Sequence, residues 1–234
     1  MIIDRPLKCH IPALRRLWKQ AFGDSDTFLD GFFQTGFSFD RCRCLQTDGT
    51  LAAALYWFDC TWRGKKVAYI YAVATDDAFR GKGLCRLLME DTHEHLRSLG
   101  YAGAALVPGN EGLFSLYAKF GYQGFCPVKK ATASAEEAMA ATRISPEAYH
   151  ALRQTLLGNN SILQEMPALY FLATYGGFYK TEKAVFCGYR QGDSFCFEEA
   201  LGEISPRQEA YLQAMYLPFD NDPALPAYLG IPLN

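Results

Sequence analysis

Apolar residues recur at helical spacing over His10 to Phe22, through Leu14, Leu17 and Ala21, and Gly23 follows as a stop. Ser25 is placed to cap a second helix running through Phe28, Leu29 and Phe32. The pattern then changes to alternation. Met1-Ile2-Ile3 reads as a short strand, and Arg41 to Gln46 as another. Asp48-Gly49 turns into Leu51–Cys60, and Gly64-Lys65 turns into Val67–Thr75, which gives three antiparallel strands in a row.

After Thr75 comes Asp76-Asp77-Ala78-Phe79-Arg80-Gly81-Lys82-Gly83, then a helix with an apolar stripe of Leu84, Leu87, Leu88, Leu96 and Leu99, ended by Gly100. His93 and His95 are expected as exposed or partly exposed residues of this helix. Tyr101–Val107 is short and apolar, as a buried strand is. Gly112 to Phe120 predicts a short helix, with Gly121 as its stop, and Tyr122–Val128 a further strand.

Lys129–Met139, rich in Ala, Ser and Glu, reads as a link. Beyond it Ser145-Pro146 starts a helix, a second helix is expected over Ser161–Leu172, and Ala184–Tyr189 with Ser194–Glu199 flank a turn at Gln191-Gly192-Asp193. The chain from Leu217 on is Pro-rich and reads as irregular. The expected fold class is α+β, with residues 1–130 as one domain and 131–234 as a smaller α+β region. The order helix, helix, hairpin in the latter loosely echoes residues 10–60, as a truncated copy of the first half would.

Composition narrows the function. The 234 residues are half hydrophobic and carry a formal charge of −2, so nothing draws the chain toward nucleic acid or an anionic membrane. No apolar run is long enough to span a membrane, and Met1–Pro6 lacks the apolar core of a signal peptide. The eight cysteines are scattered among apolar neighbours without CxxC spacing, which predicts reduced, mostly buried thiols and a cytoplasmic protein. Cys42 and Cys44, two apart on a strand, should share one face. The four histidines do not combine with cysteines at ligand spacing, so no metal is expected.

The chemistry-bearing stretch is Tyr69–Thr75 followed by Arg80-Gly81-Lys82-Gly83-Leu84-Cys85. A strand leads through a glycine loop to a helix start, whose first N–H groups lack internal partners and whose dipole is positive, and a pyrophosphate fits such an end. Arg80 and Lys82 add charge. The same residues could form a plain strand-to-helix turn with solvated charges. The spacing is neither GxxxxGK[ST] nor a first-strand GxGxxG with a downstream acid.

These segments resemble the GNAT superfamily of acetyltransferases. That family's acetyl-CoA loop reads Gln or Arg, any two residues, Gly, any one, then Gly or Ala. Arg80, Gly81-Lys82, Gly83, Leu84, Cys85 match it except at Cys85, which is still small. Downstream, Asn110 precedes Leu116-Tyr117-Ala118-Lys119-Phe120-Gly121-Tyr122, where the family has the same Asn followed by LYxKxGF. Asp77, where the family often has proline, departs from the pattern. The resemblance covers roughly residues 1–130. It implies a mostly antiparallel sheet with splayed strands flanked by helices. It also implies acetyl-CoA as co-substrate, held by the main chain of Val73 and Thr75, by the Arg80–Cys85 loop (Arg80, Gly81, Lys82, Gly83, Leu84, Cys85) and by Asn110.

Acyl transfer to an amine passes through a tetrahedral intermediate and expels a thiolate, which a nearby proton donor stabilises. The resemblance implies that donor is Tyr117. A core aromatic sharing its helix with Leu113, Leu116 and Phe120 is the other reading. An N–H on the strand near Val73 would receive the oxyanion if that strand splays from Tyr101–Val107. The base is not evident among Asp76, Asp77, Glu111, Tyr69 and Tyr71. A route through an acyl-Cys85 is conceivable at a helix N-terminus, but the family uses that position for backbone contact. Direct transfer to a small-molecule or peptide amine is therefore expected, with a non-catalytic acyl-CoA-binding module as the alternative. Phe28, Phe32, Phe33, Phe37 and Phe39 are candidates for an apolar acceptor pocket, or for core. Such a pocket suits a small amine or an N-terminus better than a polyamine.

Overall fold

Two tight turns set the first half of the sheet. Asp48 and Gly49, and then Arg63 and Gly64, all take positive φ, the backbone that joins antiparallel strands without splaying them. They link β2 (Cys42–Thr47), β3 (Thr50–Trp62) and β4 (Lys65–Thr75), and β1 (Ile2–Asp4) pairs along the outer side of β2. The computed structural model describes residues 1–204, 207–220 and 222–233, with the backbone alone over 207–211.

Before β2, α1 (Ile11–Phe22) ends at Gly23, whose φ of 76° lets its N–H bond back to the Lys19 carbonyl. Ser25 Oγ accepts the Phe28 N–H and caps α2 (Asp26–Gly31), which runs on through a π-turn, Phe32–Gly36. After β4 come α3 (Leu84–Ser98), β5 (Gly103–Leu106), α4 (Glu111–Ala118) and β6 (Gln123–Ser134). The remainder holds α5 (Ala135–Met139), β7 (Thr142–Ile144), α6 (Pro146–Leu157), β8 (Ser161–Gln164), α7 (Met166–Tyr175) and β9 (Gly177–Lys180). The hairpin β10 (Ala184–Gln191) and β11 (Ser194–Gly202) follows, then β12 (Arg207–Pro218) and the short β13 (Tyr228–Leu229).

The fold is α+β. One sheet runs β1-β2-β3-β4-β5-β12-β6-β11-β10-β9-β7, and β8 pairs with β3 and β13 beside it. Along that order the strands are antiparallel except at β4–β5, and the β8–β13 pair beside it is parallel. Late in the chain, β12 enters between β5 and β6, so the sheet is continuous past residue 130.

Several elements differ from the sequence reading. Residues 129–134 continue β6, because Ala131 and Ala133 pack against the β11 side of the sheet with Phe195 and Phe197. Residues 161–164 are strand, not helix. They pair with Cys60 and Thr61 of β3, and Pro167 starts the helix only afterwards. No element was expected over 207–216, where β12 forms.

Helices cover both faces. Leu14, Leu17, Trp18, Leu29, Phe32 and Phe171 pack with Tyr56, Phe58 and Tyr69 on one. Leu84, Leu88, Met89 and Leu96 pack with Leu55, Trp57 and Ile70 on the other. Cys42 and Cys44 are both buried in the first layer, and all eight thiols are free. In the second half a buried ion pair ties elements together. Arg153 of α6 and Glu199 of β11 lie 3.2 Å apart, both side chains fully buried. Tyr149 and Tyr228 also donate to Glu199, at 2.8 and 3.2 Å. Arg153 donates to Gln164, which donates to the Ile231 carbonyl. Among the described residues, no helix is long and apolar enough to cross a membrane.

Candidate active site

The parallel ladder between β4 and β5 has three pairs, Val67–Gly103, Ala68–Ala104 and Tyr69–Ala105. Beyond Tyr69 the strands part while β4 continues to Thr75. On its other edge β4 carries a bulge. Ala54 faces Ala74 and Tyr56 faces Tyr71, so Ala72 and Val73 together oppose Leu55. Ala72 takes φ 49°, a left-handed conformation costly for a residue with a Cβ. Tyr71 and Ala72 consequently both join the α1/α2 layer, and Val73 joins the α3/α4 layer.

A cavity of about 670 Å³ opens at this parting. Ile70, Val73, Leu106, Leu113 and Tyr117 line it from the α3/α4 layer. Trp18, Phe28, Tyr69, Tyr71 and Tyr175 line it from the α1/α2 layer. The cavity therefore connects the two faces of the sheet through the gap between β4 and β5.

Tyr117 is 7% exposed, with its ring 5.9 Å from that of Tyr122. Burial, then Cys85, raises its phenol well above the usual range, so it is protonated at neutral pH. Its hydroxyl makes no hydrogen bond among the described residues, although the side chain lines the cavity. A purely structural buried tyrosine normally finds a partner.

The glycine loop lies at the end of β4. Asp76 accepts the Ala78 N–H at 3.0 Å and shapes a 3₁₀ turn, Asp77–Phe79. Arg80 donates to the Thr75 carbonyl at 3.3 Å and pairs with Asp77 at 2.8 Å, while Lys82 donates to the Ala78 carbonyl at 3.1 Å. Gly81 and Gly83 have φ of 73° and 77°, and a Cβ on either would meet nothing within 4 Å. That leaves an open cradle before the free N–H groups of α3. Leu84 is buried in the core. Burial raises the Cys85 thiol, which opposes a thiolate nucleophile there.

Asn110 caps α4, its side chain accepting the Leu113 N–H at 3.0 Å. With Glu111, Phe114 and Gln213 it borders a second cavity, of about 670 Å³. Among the candidate bases, Tyr69 and Tyr71 line the central cavity, and Asp76, Asp77 and Glu111 do not. His93 is not exposed as expected. It is 5% exposed and bonds Tyr122 Oη at 3.0 Å. Of the five candidate phenylalanines, Phe28 lines the central cavity and Phe32 is core, while Phe22 of α1 also lines the cavity. The sequence reading missed Trp18, Asp24, Tyr175 and Tyr189 at this site. Among the described residues, no group of three or more His, Cys, Asp or Glu is arranged to hold a metal.

A profile of the acetyltransferase (GNAT) domain matches residues 5–125, just over half of the 234 residues. No curated protein matches the chain. The chain is similar in structure to a GCN5-related N-acetyltransferase from Kribbella flavida, with TM-score 0.68 and 14% identity over 92% of this chain and 70% of that one. A GCN5-related N-acetyltransferase from Anabaena variabilis gives TM-score 0.65 and 15% identity over 92% and 72%. A candidate acetyltransferase from Pyrococcus horikoshii gives TM-score 0.63 and 11% identity over 98% and 93%. At such identities the likeness is one of fold.

Proposed function

The chain belongs to the GNAT acetyltransferases, and on that premise we propose that it moves an acetyl group from acetyl-coenzyme A to an amine by direct transfer in a ternary complex. The observation that supports this most is the cavity at the β4–β5 parting, which reaches both faces of the sheet and carries the Tyr117 hydroxyl, without a hydrogen-bond partner among the described residues. Donor and acceptor can meet there from opposite sides.

The residues fit the donor. The open cradle at Gly81 and Gly83, the helix start at Leu84–Cys85 and the charges of Arg80 and Lys82 suit a pyrophosphate. The main chain at Val73 and Thr75 lies beyond the last β4–β5 pair and is assigned to a pantetheine arm, and Asn110 borders the neighbouring cavity, which shares Pro108 with this one. Bound there, the thioester supplies an activated acetyl group. In this reading a main-chain N–H on β4 near Val73 polarises the thioester carbonyl oxygen. Transfer forms a bond from the amine nitrogen to the carbonyl carbon and breaks the bond to sulfur. Tyr117 gives its proton to the departing sulfur and regains one from the amine through water.

In this reading the transfer groups lie within residues 1–130, and Tyr175, Tyr189, Leu212 and Leu233 from residues 131–234 close the acceptor side. The protein acts on a small-molecule or peptide amine in the cytoplasm. The test is thiol release from acetyl-CoA with a panel of amines. Amine-dependent release with acetylated product is the expected result. Binding of acetyl-CoA without release by any amine would leave a binding module.

A further inference from the structure

The acceptor side of the cavity holds a carboxylate that the chemistry above does not use. Asp24 stands in the short link between α1 and α2 and lines the cavity. Trp18 Nε1 donates to its Oδ2 at 2.8 Å. Among the described residues no Lys, Arg or His pairs with it, whereas the neighbouring Asp26 and Asp30 are both engaged by Arg15. The half-buried Asp24 is thus partnered by one indole and surrounded by rings, including Phe28, Tyr71, Tyr175 and Tyr189.

The electrostatics of this side favour a cation. Asp24 and Glu198 both help raise the Tyr71 phenol, after burial, and Glu198 acts likewise on Tyr175 and Tyr189. Negative charge therefore bears on the same rings whose faces attract a cation. A carboxylate removed from water gains most from a partner of opposite sign. The cation that lines the cavity, Lys130, is exposed.

We propose that Asp24 receives the ammonium of the acceptor, and that the acceptor is a primary amine on an apolar or aromatic body. The body lies among Trp18, Phe28, Tyr175 and Tyr189. A polyamine would bring a further positive charge beside Lys130. The role of Asp24 is to bind and orient the amine, and no proton step is assigned to it. This rests on the acyl-transfer reading for its biological meaning, but the binding itself is tested separately.

The test is calorimetric titration of 2-phenylethylamine, its neutral analogue 2-phenylethanol, and spermidine into the CoA-saturated protein, wild type and Asp24→Asn. Asn keeps an oxygen for the Trp18 N–H, and melting temperature checks the fold. The amine should bind wild type at least about tenfold more tightly than the alcohol, and Asp24→Asn should abolish that preference. CoA affinity should stay within about twofold, and Asp24→Glu should recover part of the amine affinity. Equal binding of the amine to wild type and Asp24→Asn, no preference over the alcohol in wild type, or tighter binding of spermidine would overturn the proposal. Acetyl-CoA turnover by the same protein preparations without added CoA reports on acyl transfer by itself. Asp24-dependent binding without turnover sinks that reading and leaves this one standing.

Discussion

Tyr69 and Ala105 are the last partners on the β4–β5 ladder, and the central cavity opens where the strands part after them. A ladder continued by two more pairs, to Tyr71 and Val107, would close the gap at which the cavity opens. The bulge at Ala72–Val73 turns β4 away from a regular register just where β5 ends.

That bulge gives a first prediction. Ala72 holds φ 49°, which costs a residue with a Cβ about 1–2 kcal/mol. Ala72→Gly should leave stability unchanged or raise it by up to about 1 kcal/mol. Ala72→Val, β-branched in a left-handed conformation, should lose about 1–3 kcal/mol. Urea denaturation of both variants measures the difference. A more stable Val variant would mean that the bulge is absent.

The glycine loop gives a second. Gly83→Asp puts a carboxylate where the cradle is open. Acetyl-CoA affinity should fall by about a hundredfold or more. Gly83→Ala shares the backbone cost without the charge and should fall much less. Calorimetry on both, with one site per chain in wild type, decides it. Unchanged affinity in a folded Asp variant would remove the loop from the donor site.

His93 makes stability depend on pH. Burial, and then the Arg97 charge, lowers its pKa from 6.5 to about 4. Its neutral form is the one that fits beside Tyr122. The contribution is complete above pH 6.5 and is lost as pH falls toward about 4, because the unfolded chain takes up the proton first. The loss should total roughly 3 kcal/mol. The His95 and His150 imidazoles are lowered too and add in the same direction. His93→Gln should flatten the decline between pH 7 and 5 relative to wild type. Parallel pH profiles for the two proteins would argue against this assignment.

The buried pair in the second half gives a stability prediction. Glu199→Gln leaves Arg153 charged with no countercharge and should cost about 3–5 kcal/mol. Gly230→Ala should also destabilise, since its Cβ would fall 2.0 Å from Arg153 Nη2. Thermal melts check both. The Gly230 variant tests in addition whether the stretch around Ile231, held by Gln164, stays docked.

The parts of the molecule legible in the sequence were those with local signatures. Asp48-Gly49 and Gly64-Lys65 marked the meander, the second turn forming one residue earlier at Arg63-Gly64, and Gly23 and Ser25 marked the helix boundary. The loop was legible because its glycines occupy backbone conformations that other residues rarely adopt. β12 was not, since its partners β5 and β6 lie far upstream and no turn announces it. Residues 161–164 were ambiguous because a short apolar run suits either a strand or a buried helix. His93 was misplaced because Tyr122 and Phe219, from outside its helix, cover it. Asp24, between Gly23 and the capping Ser25, has no local signature of a site. Only the tertiary arrangement puts it in the cavity with Tyr175 and Tyr189.

The most direct measurement of the central claim is amine-dependent thiol release from acetyl-CoA by wild type and Tyr117→Phe, with melting temperature and acetyl-CoA affinity taken on the same preparations. The substitution removes a hydroxyl that has no protein partner among the described residues and keeps the packed ring. Melting temperature and affinity should therefore stay close to wild type. Turnover should fall by roughly 10²–10⁴, the worth of a positioned acid. A Tyr117→Phe protein that turns over like wild type, or a wild-type protein that binds acetyl-CoA and releases no thiol with any amine, would contradict the account.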